Sequence, residues 1–240
     1  MSSKNYIIYG VSKGLGKAIV QQLPKSTDKV YGISRSKPSY IETQPNLHWI
    51  AADLARPTEA ISIIKNTINE DSIDILIYNV GIWEHNAFDE EYRFADNSAL
   101  EITAMINTNI TSCILAIQAL LDNLKRSPNA KIILIGSTWG LDNHQGKEVT
   151  FSASKFALRG ITHALRENLR ADHIGVSVLN LGYLATEFED ITDVDLIIKA
   201  TQGQLIPIPD VLNAIRFIIS TSIATCVKEI NMPAMRDLNV

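Results

Sequence analysis

Gly10, Gly14 and Gly16 stand in a Gly-x-x-x-Gly-x-Gly turn between an apolar run, Asn5–Tyr9, and a helical pattern beginning at Leu15. Such a turn can cradle a pyrophosphate. Glycine permits positive φ, bares the backbone for close approach, and lets the unpaired N–H groups of a helix start face the anion. Ser12, Lys13 and Leu15 fill the same turn. Past the next apolar run, where an acidic side chain would bond a ribose 2′-hydroxyl, the chain reads Ser34-Arg35-Ser36. A guanidinium there favours a 2′-phosphate, so the expected coenzyme is NADP(H) in preference to NAD(H). Further along, Lys155 follows Phe151 by four positions, which sets both on one helical face a turn apart. Ser137 lies in Gly136-Ser137-Thr138-Trp139-Gly140, just past another apolar run, where the carboxyl edge of a parallel sheet opens its ligand crevice.

Elements must hold these groups in place. Short β-branched runs alternate with longer helix-period stretches, the pattern of a doubly wound α/β fold whose mainly parallel sheet is covered on both faces. Seven strands are expected, at Asn5–Tyr9, Lys29–Ser34, Leu47–Ala52, Asp74–Asn79, Ala130–Gly136, Gly175–Asn180 and Val227–Met232. Helices fit Leu15–Leu23, Pro57–Glu70, Thr103–Arg126, Ser152–Arg170 and Pro209–Thr221, with Pro57 and Pro209 near first-turn positions where a missing N–H costs little. Pro38 and Pro45 break the stretch between the second and third strands, which reads as a loop. No linker or repeat divides residues 1–240, so one domain is expected.

Composition narrows the partners. A chain of 240 residues that is 46% hydrophobic and 20% charged can bury a sizeable core. A net charge of -4 and a pI near 5.7, without a dense basic cluster, give no electrostatic case for nucleic acid or an anionic membrane. The uncharged run Ile102–Leu121 is long enough to span a bilayer, but Thr103, Asn107, Thr108, Asn109, Thr111, Ser112 and Gln118 would burden a lipid-facing helix, so burial in protein is expected. Two cysteines, Cys113 and Cys226, and an N-terminus that enters a strand at Tyr6 point to a reducing cytoplasm. No His/Cys cluster supports a metal site.

The segment Thr150–Leu158, TFSASKFAL, resembles the active-site helix of short-chain dehydrogenases/reductases, whose signature is Tyr-x-x-x-Lys; Phe151 stands at the tyrosine. The resemblance implies a Rossmann-type three-layer fold and a hydride exchange between nicotinamide and a carbonyl or alcohol. It also implies roles: a serine polarises the carbonyl, the tyrosine passes a proton, the lysine lowers the tyrosine pKa and holds the nicotinamide ribose, and an asparagine supports a water relay. Ser137, fourteen positions before Phe151, matches the serine, with Thr138 as the alternative; Lys155 matches the lysine and Asn109 the asparagine, with Asn107 less well aligned. The glycine spacing agrees with the family, with Tyr9 where threonine is usual, and Lys13 sits where NADP-preferring members often carry a cation. Asp53-Leu54 resembles the adenine-contacting pair, although such an aspartate serves equally as a cap before Pro57. Asn79-Val80-Gly81 is similar to the family's Asn-Ala-Gly, while Gly182 and Thr186 resemble its Pro-Gly and nicotinamide-amide threonine, with Leu181 replacing proline. The helices around Asn109 and Phe151 are those the family uses for assembly, which implies a homodimer or homotetramer.

Phenylalanine cannot titrate. Losing a positioned general acid removes roughly 10² to 10⁴ in rate, about 3 to 5.5 kcal/mol of barrier lowering. Either a natural sequence abandoned or rerouted the chemistry, or a tyrosine was replaced to trap ligands; rerouting would offer Tyr183, His144 or Thr138 as donors. The readings left open are an NADP-dependent carbonyl reductase or alcohol dehydrogenase, a noncatalytic NADP-binding regulatory or partner-binding protein, and an isomerase or lyase on the same cradle. Trp83, His85, Trp139, His144, Tyr183 and Phe188 follow crevice-facing motifs and predict an aromatic-lined pocket for an apolar or cyclic carbonyl. Residues 186–207, with Glu187, Glu189, Asp190, Asp193 and Asp195, are expected to form a lid whose acidity disfavours anionic substrates.

Overall fold

In a computed structural model, described here for residues 3–188 and 190–238, the apolar runs form a seven-stranded sheet. The strands are β1 (Asn5–Tyr9), β2 (Lys29–Ser34), β3 (Leu47–Ala51), β4 (Ile75–Tyr78), β5 (Lys131–Ile135), β6 (Gly175–Leu181) and β7 (Glu229–Met232). Every neighbouring pair is parallel, in the order β3-β2-β1-β4-β5-β6-β7. Period-two alternation splits the core between the two faces. Ile7 and Tyr9 join one cluster with Ala60, Ile64, Cys113, Ile117 and Leu158; Tyr6 and Ile8 join the other with Leu15, Ile19, Val211 and Ile215.

Helices α1 (Gly14–Gln22) and α8 (Ile208–Ser220) cover the second face. On the first lie α2 (Pro57–Ile68), a rod made of α3 (Ala99–Ile106), a π-helical turn (Asn107–Thr111) and α4 (Ser112–Ala119), and then α6 (Val149–Asn168). The short α5 (Leu121–Lys125) follows the rod, and α7 (Val194–Thr201) lies in the segment before α8. The reversal of strand order beside β1 places the carboxyl ends of β1 and β4 around a crevice, where such folds bind ligands.

Several boundaries differ from expectation. The single helix predicted over Thr103–Arg126 starts earlier, at Ala99, where the Ser98 hydroxyl accepts the N–H of Glu101, and it breaks at Leu120 before α5. Its π turn sits at the polar stretch Asn107–Thr111, where the Thr108 carbonyl accepts the buried Tyr78 hydroxyl at 2.6 Å. The rod is apolar and long enough to pass for a membrane span, and it packs one side against the sheet through Cys113, Ala116 and Ile117 while Ile114 stays exposed. Helix α6 begins three residues before the predicted Ser152 because a distant carboxylate, Glu84, caps it. The loop after β2 holds a single 3₁₀ turn, Ile41–Thr43, and β7 is two residues shorter at its start than predicted. Helix α7 was not expected; the Asp193 side chain accepts the N–H of Leu196 at its start. Glu189 of the expected lid lies outside the described residues.

Candidate functional site

At Gly10 the backbone adopts φ +82°, and a β-carbon there would fall 2.2 Å from the Asn79 carbonyl oxygen; at Gly16 one would fall 1.9 Å from the Gly10 oxygen. The first requirement follows from a left-handed turn and the second from α1 packing directly on the turn. The turn is tied to β2 through N–H donation from Gly10 to Ile33 at 2.8 Å, and to β4 through the Asn79 amide, which donates to the Gly10 carbonyl at 3.4 Å. Lys13 precedes α1 without a side-chain cap. The first-turn N–H groups of α1 therefore keep their capacity to bind an anion.

From this cradle a cavity of about 710 Å³ runs along the carboxyl edge of the sheet. Gly10, Ser12, Lys13, Gly14, Leu15, Arg35, Asp53 and Leu54 line one end. Asn79, Gly81, Ser137, Trp139, Phe151, Lys155, Gly182, Tyr183 and Thr186 line the rest, with Trp83 at the mouth. Arg35 is exposed at the end of β2 and also borders a side pocket shared with Asp53 and Arg56. Asp53 accepts the N–H of Ala55 at 3.1 Å, the turn-capping role weighed for it, while facing the cavity. In place of a strand-end threonine, Tyr9 is wholly buried against Tyr78, ring centroids 5.0 Å apart.

Lys155 and Phe151 share the cavity floor. The Lys155 ammonium donates to the Ile135 carbonyl at 3.2 Å and lies 5.3 Å from the centre of the Phe151 ring. It packs so close to Gly81 that a β-carbon there would be 3.0 Å from Nζ. Burial lowers its pKa from 10.5 to about 8. Ser137 is half-buried and its hydroxyl accepts the N–H of Trp139 at 3.2 Å, whereas Thr138 is fully buried with its hydroxyl unpartnered.

Asn109 is not on the cavity wall. It is buried in the π turn, where its Oδ1 accepts the Ile82 N–H at 2.9 Å and its Nδ2 donates to the Ile82 carbonyl at 2.8 Å and to Ser154 Oγ at 3.0 Å. The side chain is thus engaged in fixing the strand exit beside Gly81. His144 and Phe188 also leave the expected pocket. His144 stacks on Trp139 at 6.2 Å with Nε2 2.9 Å from Ser152 Oγ, away from the cavity lining, and Phe188 lies beyond the bridge between Leu184 and Ile206, after Thr186 has contributed the last piece of wall. His85 is exposed and likewise off the wall.

Three residues that sequence reasoning passed over organise the pocket end. Glu84 is fully buried in the loop after β4, and its Oε1 accepts the N–H groups of Thr150 at 2.8 Å and Phe151 at 3.2 Å, capping α6 from a distant segment. Glu148 accepts the Phe88 N–H at 2.8 Å and the Trp139 indole N–H at 2.7 Å. Burial works against its charged form, yet these donors hold its pKa below the usual carboxylate range. Phe88 has φ +68°, a left-handed conformation that costs a bulky residue about 1–2 kcal/mol. Its ring stands edge-on to Trp83, Trp139, Phe151 and Tyr183 at centroid distances of 5.9, 5.7, 6.0 and 5.6 Å. Only its local sequence, Asn86-Ala87-Phe88-Asp89, hints at a turn.

The sequence profile of the family described as short chain dehydrogenase matches residues 4–194. The chain belongs to the short-chain dehydrogenase family. Among curated relatives, a 3-ketodihydrosphingosine reductase of Bacteroides thetaiotaomicron is 30% identical over 196 residues, 79% of this chain and 67% of that protein. A 3-oxoacyl-[acyl-carrier-protein] reductase of Haemophilus influenzae is 26% identical over 229 residues, 92% of each chain. Among solved structures, a short-chain dehydrogenase family protein from Francisella tularensis superposes with a TM-score of 0.76 at 23% identity over 96% of this chain and 97% of that one. A metagenomic short-chain oxidoreductase in complex with NADP gives 0.77 at 19% identity over 98% and 99%. At these identities the superpositions bear on the fold alone, which is the doubly wound, Rossmann-type sheet expected. Short-chain dehydrogenases are oxidoreductases that act on small molecules with a nicotinamide coenzyme.

Proposed function

We propose that this chain binds NADP(H) in preference to NAD(H) and that its site is built to exchange hydride with a small, apolar or cyclic carbonyl or alcohol. One observation carries the reading: the buried Lys155 ammonium lies on the floor of a cavity continuous with the glycine cradle, 5.3 Å from an aromatic ring where a proton donor would stand. The cradle fits a dinucleotide because its closest approaches leave no room for a β-carbon. Gly10, Gly14 and the open start of α1, which Gly16 packs against the turn, would hold the pyrophosphate, Arg35 and Lys13 the 2′-phosphate, and Lys155 the nicotinamide ribose. When bound, the coenzyme supplies the hydride. Ser137 can release the Trp139 N–H and turn its hydroxyl towards a carbonyl oxygen, while Asn109 and Glu84 keep the strand exit and the start of α6 in place.

Proton delivery is the missing step. Phe151 has no hydroxyl, so turnover is expected to be lower by roughly 10² to 10⁴ than with a phenol at the same position. The names of the relatives, both ketone-reducing enzymes, support carbonyl reduction as the reaction class. Phe151 also favours a second reading, a noncatalytic NADP-binding sensor or partner-binding subunit. We further read residues 186–207, with α7, as the substrate lid. The exposed apolar residues Ile114 on the rod and Val149 and Phe156 on α6 support a homodimer or homotetramer, and a cytoplasmic location fits the cysteine usage.

Calorimetric titration of NADPH and NADH tests the reading. Tighter binding of NADPH by tenfold or more is expected. No heat with either coenzyme would overturn both the reductase and the sensor interpretation.

A further inference from the structure

The part of the cavity where a substrate ring would meet the reacting end is already filled, by the chain's own Phe88. Its ring is enclosed edge-to-face by Trp83, Trp139, Phe151 and Tyr183, all at centroid distances between 5.6 and 6.0 Å. Such T-shaped contacts are the favoured geometry of aromatic pairs. The enclosing residues therefore form a box for one six-membered ring, and Phe88 shows what fits it. Three features mark Phe88 as a removable occupant rather than core. It is 40% exposed, unlike Trp139 and Phe151, which are 4% and 7% exposed. Its backbone is held at a positive φ that phenylalanine disfavours. Its own backbone N–H is held by the Glu148 carboxylate, which accepts it at 2.8 Å and the Trp139 indole N–H at 2.7 Å.

We propose that Phe88 is the specificity-determining gate of this pocket, positioned by Glu148, and that the substrate is a neutral carbonyl compound bearing a planar or six-membered ring, which displaces Phe88 and takes over its contacts. This rests on the carbonyl-reductase reading above. A ring-bearing ketone recovers the edge-to-face contacts that Phe88 gives up on leaving, whereas a linear ketone fills the same space without them. Glu148 also links the gate to the fixed wall, because its two oxygens hold one residue of each. A glutamine at 148 offers only one acceptor oxygen to these two N–H donors, so one of the two bonds is lost.

Stopped-flow tryptophan fluorescence tests the gate, since Trp83 and Trp139 border it. The probes are 2-tetralone, a neutral bicyclic ketone, and 2-decanone, a linear one with the same number of carbons, mixed with the protein with and without NADPH. Phe88→Ala is expected to speed 2-tetralone association at least tenfold, and Glu148→Gln at least threefold. Phe88→Tyr should keep the wild-type rate within a factor of two. NADPH affinity, followed by its own fluorescence, should change less than twofold in all three variants, which a general loss of structure would not allow. In the wild type 2-tetralone should bind at least fivefold tighter than 2-decanone. An unchanged association rate in Phe88→Ala, no binding of 2-tetralone to that variant, or equal affinity for both ketones would overturn the proposal. Failure of NADPH to bind would count against the coenzyme reading instead, and the rates measured without coenzyme would still decide the gate.

Discussion

Phe151→Tyr is the substitution on which the catalytic reading depends. The ring at 151 is buried, 7% exposed, with the Lys155 ammonium 5.3 Å from its centre, so a phenol enters the same volume with its oxygen on the cavity side. At about 4 Å from the ammonium, a phenolate gains about 4 kcal/mol at an effective dielectric of 20, equivalent to about three pKa units. Burial opposes part of this, so the new phenol should ionise well below the ordinary value of about 10. A group of that kind supplies about 10² to 10⁴ in rate, or about 3 to 5.5 kcal/mol. The assay is NADPH oxidation against a panel of neutral ketones, run beside a spectroscopic titration of tyrosinate. The titration is readable because burial pushes native tyrosines upward, Tyr6 and Tyr183 to about 12 and Tyr9 and Tyr78 higher still. One extra phenol ionising between about pH 7 and 9, with a hundredfold or larger gain in turnover, is the expected result. A variant that binds NADPH, shows no low-pH phenol and reduces nothing in the panel would refute the reasoning and favour the sensor.

Lys155→Met probes the same amine through stability. Burial lowers the folded pKa to about 8 from 10.5, so between those values the unfolded chain binds more protons and wild-type stability rises with pH. The variant should gain about 3 kcal/mol at pH 7, shrinking towards zero near pH 10, in urea melts at both pH values; an equal gain at both would contradict it. Arg35→Ala should weaken NADPH at least tenfold while leaving NADH within twofold, by calorimetry. Glu84→Ala leaves the buried N–H groups of Thr150 and Phe151 without their acceptor, and a loss of about 1–3 kcal/mol is expected from denaturant midpoints.

The sheet was legible because its signals are local. The inner strands are short apolar runs buried on both faces, only the edge strands β3 and β7 being partly exposed, and the glycine turn lies between a strand and a helix, so β1, β2 and α1 fall within a residue of their expected bounds. Lys155, Ser137, Gly10 and Gly14 were legible for the same reason and are brought together in one cavity. What escaped depends on segments far apart in sequence. Glu84 caps a helix 66 positions away, and nothing beside Thr150 announces it. Phe88 enters the pocket because Glu148, 60 positions on, holds its backbone, while Phe188, with an equally plausible aromatic ring, lies off the cavity lining. Asn109 was singled out by resemblance to the family's interface helix, and its engagement with Ile82 could be seen only once the chain was folded.

The π turn at Asn107–Thr111 means that the rod contains one residue more than a straight helix of the same reach. Excising a single amino acid there would straighten the rod and leave everything downstream near its present azimuth, whereas the same excision in an uninterrupted helix would turn it by about 100°. Ile114 would keep its outward azimuth, while the Tyr78 phenol would lose the Thr108 carbonyl that the turn now presents to it. Chimaeras that splice this rod onto an uninterrupted helix must therefore shift alignment by one position past Thr111, or the inward stripe will turn about 100° away from the sheet.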